Sequence, residues 1–162
     1  MKYKIIDNAL PQQEFKKIKD LLLGFYFPWF YNPSVSQKTA KDGFYFNHVF
    51  FGVEPHKINS DHFDVLQPIL NLLKPRAVIR IKANFYPQTK NIESHEQHSD
   101  YSYAHKGALF SVNACDGYTL LKKSIKIDSK ENRLLLFDPS TPHNSTTCTN
   151  EQGRVNINFN YF

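Results

Sequence analysis

Short apolar runs separated by turn residues dominate the second half of the chain. Runs of a few residues that are apolar, or that alternate between apolar and polar positions, are typical of β-strands. In chain order they predict strands at 107–115, 118–121, 124–127, 133–137, 144–148 and 154–161. Because no helix-length pattern interrupts them, the spacing favours a mainly β sandwich or barrel and not a parallel α/β sheet.

The first half of the chain carries the predicted helices. An apolar stripe at helical spacing begins after Pro11 and ends before Gly24, which are residue types that favour helix starts and stops. A second stripe begins at Asp61 and meets Pro68, which must kink that helix or begin another. Between them, residues 44–53 are apolar on both faces, as in a buried strand. We expect the helices to cover one face of the sheet.

Residues 76–86 alternate most clearly. One face is apolar and would pack beneath the helices, while the other carries Arg80, Lys82, Asn84 and Tyr86. The inner face of such a strand in a jelly roll lines a cavity, so Asn84 and Tyr86 are expected to point into it. Two charged side chains fit poorly inside a cavity, and they predict a bulge or a solvated barrel end at Arg80 and Lys82.

The length and composition agree with one folded domain. At 162 residues, with 41% hydrophobic and 15% aromatic residues, the chain is long enough to bury about 70% of its unfolded surface in a single core. We expect residues 1–162 to form one domain. Residues 1–74 would supply supporting helices and outer strands, and residues 75–162 would form the jelly-roll core.

Charge and apolar length exclude several classes of protein. The net charge of +5 is mildly basic, but the lysines are dispersed, which favours a solvated surface over a nucleic-acid tract. No apolar run approaches the ~20 residues of a membrane span, and the polar N-terminus does not resemble a signal peptide. A cytoplasmic protein without a membrane partner is therefore predicted, with Cys115 and Cys148 as free thiols. The sequence carries no signature of oligomeric state.

Side chains that can bind a metal are most concentrated within residues 95–100. His98 and Asp100 are two positions apart, so on an extended segment they project from the same face. His143 follows a predicted strand, and Arg154 opens the last one. Two imidazoles and one carboxylate on one side of a metal leave open coordination positions, the arrangement of non-haem Fe(II) oxygenases. Arg154 would then hold the far carboxylate of an organic acid bound at those positions.

The order of these motifs resembles that of the 2-oxoglutarate/Fe(II) dioxygenase superfamily. The similarity is strongest to its prolyl 4-hydroxylase-like branch, including the short stand-alone members from bacteria and phages. Over about 75–162, the motifs that carry it are Ala83-Asn84-Phe85-Tyr86, His98-x-Asp100, Asp116-Gly117-Tyr118-Thr119, Asn132-Arg133-Leu134-Leu135-Leu136-Phe137, Pro142-His143 and Gly153-Arg154. The resemblance implies a double-stranded β-helix, the jelly roll of cupin-like proteins, with the N-terminal helices packed on one sheet.

The resemblance also implies a role for each site residue. Fe(II) would be held by a catalytic triad of His98, Asp100 and His143. The 2-oxoglutarate co-substrate would be bound by Arg154, Tyr86, Asn84 and Asn156. With O2, and with ascorbate as a further reductant, such a site hydroxylates an unactivated C–H bond and releases succinate and CO2. We expect a hairpin of the last two strands to place Arg154 opposite Thr147.

The sequence leaves the substrate open. The glycine-rich run that often precedes H-x-D in prolyl hydroxylases is absent, and His95 is additional. A protein or peptide substrate of prolyl type is the leading interpretation. A nucleic-acid oxidative demethylase is the alternative within the superfamily, since Asn84-x-Tyr86 and Arg154-x-Asn156 also resemble the cofactor contacts of that branch. A zinc hydrolase, which would not need the arginine, and a non-enzymatic cupin-like metal or ligand binder remain as other classes.

Four other features of the sequence can be interpreted as structural or as functional. His95 and His105 flank the H-x-D motif and are expected to be exposed loop histidines or substrate contacts. His48 lies inside an apolar strand and is expected to be a hydrogen-bonded core residue. The aromatic run 25–31 predicts either core packing or a wall of the substrate mouth. The polar run 32–42 predicts a loop.

Overall fold

The computed structural model describes residues 3–35 and 43–162. Its helices are α1 (Gln12–Leu22) and α2 (Gln67–Leu73), the second preceded by a 3₁₀ turn at Phe63–Leu66. The strands are β1 (Lys4–Ile6), β2 (Phe30–Asn32), β3 (Tyr45–Phe51), β4 (Val78–Pro87), β5 (Lys106–Ser111), β6 (Tyr118–Leu121), β7 (Ile125–Asp128), β8 (Arg133–Phe137), β9 (His143–Ser145) and β10 (Gly153–Tyr161). Of the loop predicted at 32–42, residues 36–42 lie outside the described part of the chain.

The larger sheet is antiparallel and has seven strands in the order β1-β8-β5-β10-β4-β3-β2. Its central strand, β10, pairs with β4 on one side and with β5 on the other. Nearly every residue of β10 is buried, as expected for a strand covered on both faces. Strands β1, β2 and β3, from the first half of the chain, widen both edges of this sheet.

The smaller sheet has three regular strands in the order β7-β6-β9. A fourth position beside β9 is taken by residues 94–98, through isolated bridges that pair Ser94 with Thr146 and His98 with His143. Apolar side chains of β6 and β7 pack on those of β5 and β8 across the barrel. The smaller layer faces the four inner strands of the larger sheet, β8-β5-β10-β4. Two facing layers of four antiparallel strands form a double-stranded β-helix, so the predicted fold class is confirmed.

Both helices pack on the outer face of the larger sheet. The buried face of α1 carries Phe15, Ile18 and Leu22, and the Phe15 ring meets Phe110 of β5 edge-on at 6.1 Å. Pro68 lies in the first turn of α2, so it begins a second helix instead of kinking a long one. No helix among the described residues is long and apolar enough to cross a membrane. The larger apolar core therefore lies between this sheet and the helices, outside the barrel. A smaller apolar cluster fills the β5–β8 side of the interior, which leaves the β4–β10 side for polar chemistry.

The predicted strand 107–115 ends four residues early, at Ser111. Beyond Ser111, the side chain of Asn113 makes hydrogen bonds to β10 in place of the backbone of a continuing strand. Its amide donates to the Gly153 carbonyl over 2.9 Å, and its oxygen accepts from the Val155 amide over 2.9 Å. An asparagine side chain imitates a peptide group and can compete with backbone pairing, which apolar periodicity does not reveal.

The predicted hairpin of the last two strands is wrong. β9 pairs with β6 in the smaller sheet, whereas β10 lies in the larger one, and Arg154 is registered opposite Tyr86 of β4, not Thr147. The chain crosses from the smaller to the larger sheet between β9 and β10, so these two neighbours in sequence are not neighbours in a ladder. Both cysteines are free thiols, and the fold brings the side chains of Cys115 and Cys148 into contact.

An ion pair at the edge of the larger sheet gives a first prediction. Arg133 of β8 binds both carboxylate oxygens of Asp7, over 2.6 and 3.0 Å, and this hydrogen bonding lowers the pKa of Asp7 from 3.8 to about 2. Because the folded-state pKa is the lower one, the pair stabilises the fold above about pH 4 and ceases to do so near pH 2. Asp7→Asn should lower the melting temperature slightly at neutral pH, since the pair is partly exposed and solvent screens it.

Melting curves between about pH 2 and pH 7 check this prediction. The difference between Asp7→Asn and the wild type should shrink as the pH falls. Asp61→Asn is a suitable control, because Asp61 is exposed and forms no ion pair among the described residues. A difference that stays constant across the pH range would contradict the assignment.

Candidate metal centre

His98 and His143 lie opposite each other at the rim of the smaller sheet. The His98 amide donates to the His143 carbonyl over 2.9 Å, and the His143 amide donates to the His98 carbonyl over 2.8 Å. Residues paired in an antiparallel ladder project to the same face. This bridge therefore places both imidazoles on the inner side of the barrel, with their ring centroids 4.8 Å apart.

Each imidazole is oriented by a backbone carbonyl two residues earlier. His98 Nδ1 lies 3.2 Å from the Glu96 oxygen, and His143 Nδ1 lies 3.0 Å from the Thr141 oxygen. A carbonyl can only accept, so the proton belongs on Nδ1 and the lone pair on Nε2. This is how metal-binding histidines are usually held, with the second nitrogen setting the tautomer and the ring orientation.

Asp100 is held by three contacts. Its amide donates to the Pro139 carbonyl over 3.0 Å. Its two carboxylate oxygens accept from Arg80 over 3.3 Å and from Asn158 over 3.2 Å. Burial alone would raise the pKa of Asp100, but the charge of Arg80, together with His143 and the Asn158 hydrogen bond, holds this pKa below its ordinary value. The carboxylate is therefore an oriented anion at neutral pH.

Ligand atoms of these three residues all lie within 4.8 Å of one another, and His98 Nε2 lies 3.9 Å from Asp100 Oδ1. Burial lowers the pKa of His143, although the nearby Asp100 charge opposes the shift, so this imidazole is neutral and able to bind a cation. Two imidazoles and one carboxylate grouped in this way suit a divalent transition metal and leave its other positions open. The structure therefore brings the three predicted ligands together in a group that can hold a metal ion.

A polar cavity leads from the two histidines into the barrel. The side chains that line it come mainly from β4, β9 and β10 and include Asn84, Tyr86, Ser145, Asn156 and Asn158. In the β4–β10 ladder, Arg154 is registered with Tyr86 and Asn156 with Asn84. Since paired residues share a face, the four predicted cofactor-binding residues form one compact patch deeper in the barrel than the metal group.

Arg154 is only 1% exposed and meets no carboxylate among the described residues. Its guanidinium donates to the hydroxyls of Ser129 and Thr119, over 3.0 and 2.6 Å, and to the Thr146 carbonyl, over 3.2 Å. Burial lowers the pKa of Arg154. A Cβ on Gly117 would lie 2.9 Å from the Arg154 side chain and 2.5 Å from a backbone oxygen, so only glycine allows this packing.

Tyr86 lies beside that guanidinium, with the Arg154 Cζ atom 5.9 Å from its ring centroid. Burial raises the pKa of Tyr86 to about 12, although a hydrogen bond with Ser145 opposes the shift, so the phenol keeps its proton at neutral pH and can donate to an anion. Next to it, the Asn84 amide donates to Asn156 over 3.0 Å, while Asn84 Oδ1 is buried without a partner in the described structure. Buried polar groups rarely stay unpaired, so the patch suits a polar ligand.

Sequence reasoning missed the residues that support this patch. Ser129 and Thr119 hold Arg154. Ser129 lies beside β7 and follows no motif, whereas Thr119 lies in β6 within the Asp116-Gly117-Tyr118-Thr119 motif but was given no role. Asn158 could have been found, because it shares the inner face of β10 with Arg154 and Asn156. The alternation of β4 gave no role for Arg80. In the structure Arg80 donates a hydrogen bond to Asp100 and therefore lies beside the metal group.

The expectation that His95 and His105 are exposed is wrong, since they are 6% and 8% exposed. His95 Nδ1 lies 2.9 Å from Ser145 Oγ, and its ring packs on Tyr86 with centroids 5.0 Å apart. His105 Nε2 lies 2.8 Å from Asn160 Oδ1. Each histidine lies in an irregular segment that is folded back on the barrel, and the sequence does not show this return.

His48 and the aromatic run 25–31 differ in how far they belong to the core. His48 is a core residue, as predicted, with its two ring nitrogens 2.8 Å from the Pro28 carbonyl and 2.7 Å from Ser60 Oγ. The aromatic run is split between core and surface: Phe27 is buried, but Phe25 and Tyr26 are more than 90% exposed. Core packing therefore accounts for only part of that run.

This chain resembles known proteins in its fold and not in its sequence. No family model matches the chain, and no curated protein matches it at a significant level. Solved structures do match over nearly its whole length. A prolyl hydroxylase from Trichoplax adhaerens, in complex with a hypoxia-inducible-factor oxygen-degradation-domain peptide fragment, is 16% identical with a TM-score of 0.72, and the match covers 99% of this chain and 83% of that one.

Two other matches come from a bacterium and a virus. A 2OG-Fe(II) oxygenase family oxidoreductase from Burkholderia pseudomallei has a TM-score of 0.70 at 10% identity, covering 98% of this chain and 84% of that one. The collagen prolyl hydroxylase of Paramecium bursaria Chlorella virus-1, in complex with 2OG, has a TM-score of 0.64 at 11% identity, covering 98% and 93%. The chain has the fold of the 2-oxoglutarate/Fe(II) oxygenases. At these identities the likeness shows the oxygenase fold alone.

Proposed function

We propose that the protein is an Fe(II)- and 2-oxoglutarate-dependent dioxygenase that hydroxylates an unactivated C–H bond. One observation carries the proposal. His98 and His143 of the metal group line one polar cavity together with Tyr86. The Tyr86 ring lies beside the buried guanidinium of Arg154, which has no carboxylate partner in the described structure. A metal group alone would serve a hydrolase equally well, but a buried cation without an anion is costly unless a ligand supplies one.

The triad would hold the iron from one side of the cavity. When bound, Fe(II) and 2-oxoglutarate together supply the oxidative decarboxylation that activates O2 and yields succinate and CO2. Asp100 contributes a negative charge that Arg80 and Asn158 orient, and His98 and His143 contribute ring nitrogens that backbone carbonyls orient. The protein thus fixes the number and direction of the ligands and leaves the remaining positions to co-substrates.

Arg154 and Tyr86 would hold the far carboxylate of the co-substrate. Arg154 precedes Asn158 by four residues, which is about 13 Å along the strand, and Asn158 contacts Asp100. A five-carbon diacid that extends from the metal and an arginine side chain that extends toward it can share such a span. The guanidinium fork matches a carboxylate with two parallel hydrogen bonds, and the protonated Tyr86 phenol can donate a third.

The proposed substrate is a peptide with a prolyl-type target residue, and two prolyl hydroxylases among the fold relatives support this class. Two apolar side chains, Leu109 and Phe137, also line the cavity, and the Phe137 ring meets His143 edge-on at 5.1 Å. They reduce access of water on the metal side. A nucleic-acid substrate is the alternative, and the same assay tests it.

Succinate formation tests the proposal. The protein supplied with Fe(II), 2-oxoglutarate and air should release succinate slowly without a substrate and faster with a suitable peptide. The matched control is the same protein treated with a chelator. If neither peptides nor single-stranded oligonucleotides elicit succinate from protein that demonstrably binds iron, the proposal fails, and a metal-binding protein without this activity is the better description.

A further inference from the structure

Apart from the contact of Arg80 with Asp100, two cationic side chains on the inner face of β4 have no role in the proposed reaction. Arg80 and Lys82 alternate with apolar residues on the same strand as Asn84 and Tyr86, so all four project to one side. Both are partly buried. They lie nearer the metal group than Arg154 does, because Arg80 contacts Asp100 and Lys82 is registered with Asn158.

Only part of the hydrogen-bonding capacity of the Arg80 guanidinium is used within the described structure. One terminal nitrogen donates to Asp100 over 3.3 Å, and the guanidinium carbon lies 5.5 Å from the ring centroid of Tyr101. Its Nε–H is buried and has no partner among the described residues. The side chain is 24% exposed, so the guanidinium beside Asp100 remains accessible to a bound substrate.

Lys82 has a neutral partner only. Its Nζ lies 3.1 Å from the hydroxyl of Tyr45, over whose ring it also lies at 5.2 Å. Within residues 3–35 and 43–162 it forms no ion pair. Burial lowers the pKa of Lys82, because desolvation disfavours the charged form, although Tyr45 and the Asp100 charge oppose the shift. An ammonium in this position is stabilised by an anion brought in from outside.

The charges of the cavity do not balance after both cofactors bind. Arg80, Lys82 and Arg154 supply three positive charges, and the one carboxylate that contacts any of them in the described structure is Asp100. Ferrous iron and the dianion of 2-oxoglutarate cancel each other. Two positive charges therefore remain, on the side of the metal that is away from Arg154, and they favour an anionic group on the substrate.

We propose that Arg80 and Lys82 bind a carboxylate of the peptide substrate, supplied by an aspartate or glutamate next to the residue that is hydroxylated. This inference rests on the proposed function and names its substrate class. Residues two apart on one face of a strand are about 6.7 Å apart, so one carboxylate placed between them can bind both. A phosphodiester backbone binds rows of exposed basic residues, whereas this pair is enclosed by Tyr45 and Tyr101, which favours a single acidic side chain.

Two peptide pools test the inference. Both contain short peptides with a central proline, flanked by aspartate and glutamate in one pool and by asparagine and glutamine in the other. The first readout is the rate of succinate release above the peptide-free rate. The second is the shift in melting temperature that each pool causes in anaerobic protein loaded with Mn(II) and 2-oxoglutarate, which does not depend on turnover. The acidic pool should be preferred about tenfold or more in the rate.

Lys82→Met should reduce this preference to near unity, because methionine keeps most of the volume and removes the charge. Lys126→Met, on an exposed lysine of β7, is the matched control and should keep the full preference. Arg80→Lys retains a charge beside Asp100 but loses the planar fork, so it should weaken the preference partially. It serves as the second variant if Lys82→Met does not fold.

Three outcomes would overturn the inference: equal effects of the two pools on the wild type, a preference that survives in Lys82→Met, or stimulation by single-stranded oligonucleotides and by neither pool. A larger 2-oxoglutarate requirement in Lys82→Met with an unchanged pool preference would also count against it, since Lys82 would then serve the co-substrate. Failure of the proposed function looks different, because no succinate forms with any substrate. The melting shifts of the Mn(II)-loaded protein then still compare the pools.

Discussion

Replacing His143 with alanine is expected to abolish stoichiometric iron binding while the protein stays folded. His143 supplies one of three donors, and its imidazole is oriented by the Thr141 carbonyl and packed against Phe137. Loss of a residue that merely orients a metal ligand weakens binding by about 10–100-fold, so loss of a ligand should cost more than about a hundredfold. Asp100→Asn should have a similar effect, since the amide keeps the shape and removes the charge.

Iron content after dialysis, measured beside the far-UV circular dichroism spectrum, checks this result. The β9 backbone bridge to His98 does not involve the side chain, so the strands should form in both variants. His56→Gln is the matched control, because His56 is exposed and lies in a different loop. If both His143→Ala and Asp100→Asn retain one iron per chain, the metal group is wrongly assigned.

Replacing Arg154 is expected to remove the stabilisation that 2-oxoglutarate gives the wild type. A ligand that binds only the folded state at a hundred times its dissociation constant stabilises it by about 2.7 kcal/mol. In a chain of this length that is a melting shift of about 5–10 °C. Arg154→Met keeps much of the buried volume but offers no donor to a carboxylate, so the shift should vanish. Arg154→Lys should retain part of it, since one point charge replaces a two-pronged clamp.

Each variant provides its own reference, because the melting temperature with Mn(II) alone is compared with that after 2-oxoglutarate is added under anaerobic conditions. This matters since Arg154 also holds Ser129, Thr119 and the Thr146 carbonyl, and its loss will change stability without ligand. The metal-only shift should persist in every Arg154 variant. If 2-oxoglutarate raised the melting temperature of Arg154→Met as much as that of the wild type, another cation would hold the acid. Lys82 would be the first to test.

Most of the residues of the candidate site could be predicted from the sequence. The period-two alternation of β4 and β10 places Asn84, Tyr86, Arg154 and Asn156 on the polar face of their strands, and the structure confirms that they line or adjoin one cavity. The H-x-D spacing likewise puts His98 and Asp100 on one side of an extended segment. Alternation reports the face that a side chain occupies, because it follows from local backbone geometry.

The partners of these residues could not be predicted in the same way. Arg154 was expected opposite Thr147 and lies opposite Tyr86, because the chain crosses from one layer to the other between β9 and β10. His95 and His105 were expected at the surface and are buried, because irregular segments fold back onto the barrel. Register and layer depend on contacts between residues distant in sequence, and no local period reports them.

The sequence by itself determined the fold class, the polar character of the inner face and the donors that can bind a metal, since each follows from residue type and short-range spacing. Only the tertiary structure decided that His98 pairs with His143 and that Arg80 contacts Asp100. It also decided that Arg154 is buried without a carboxylate partner among the described residues. The physical reason is that burial and charge compensation are properties of the closed barrel, whose two layers come together only when the chain folds.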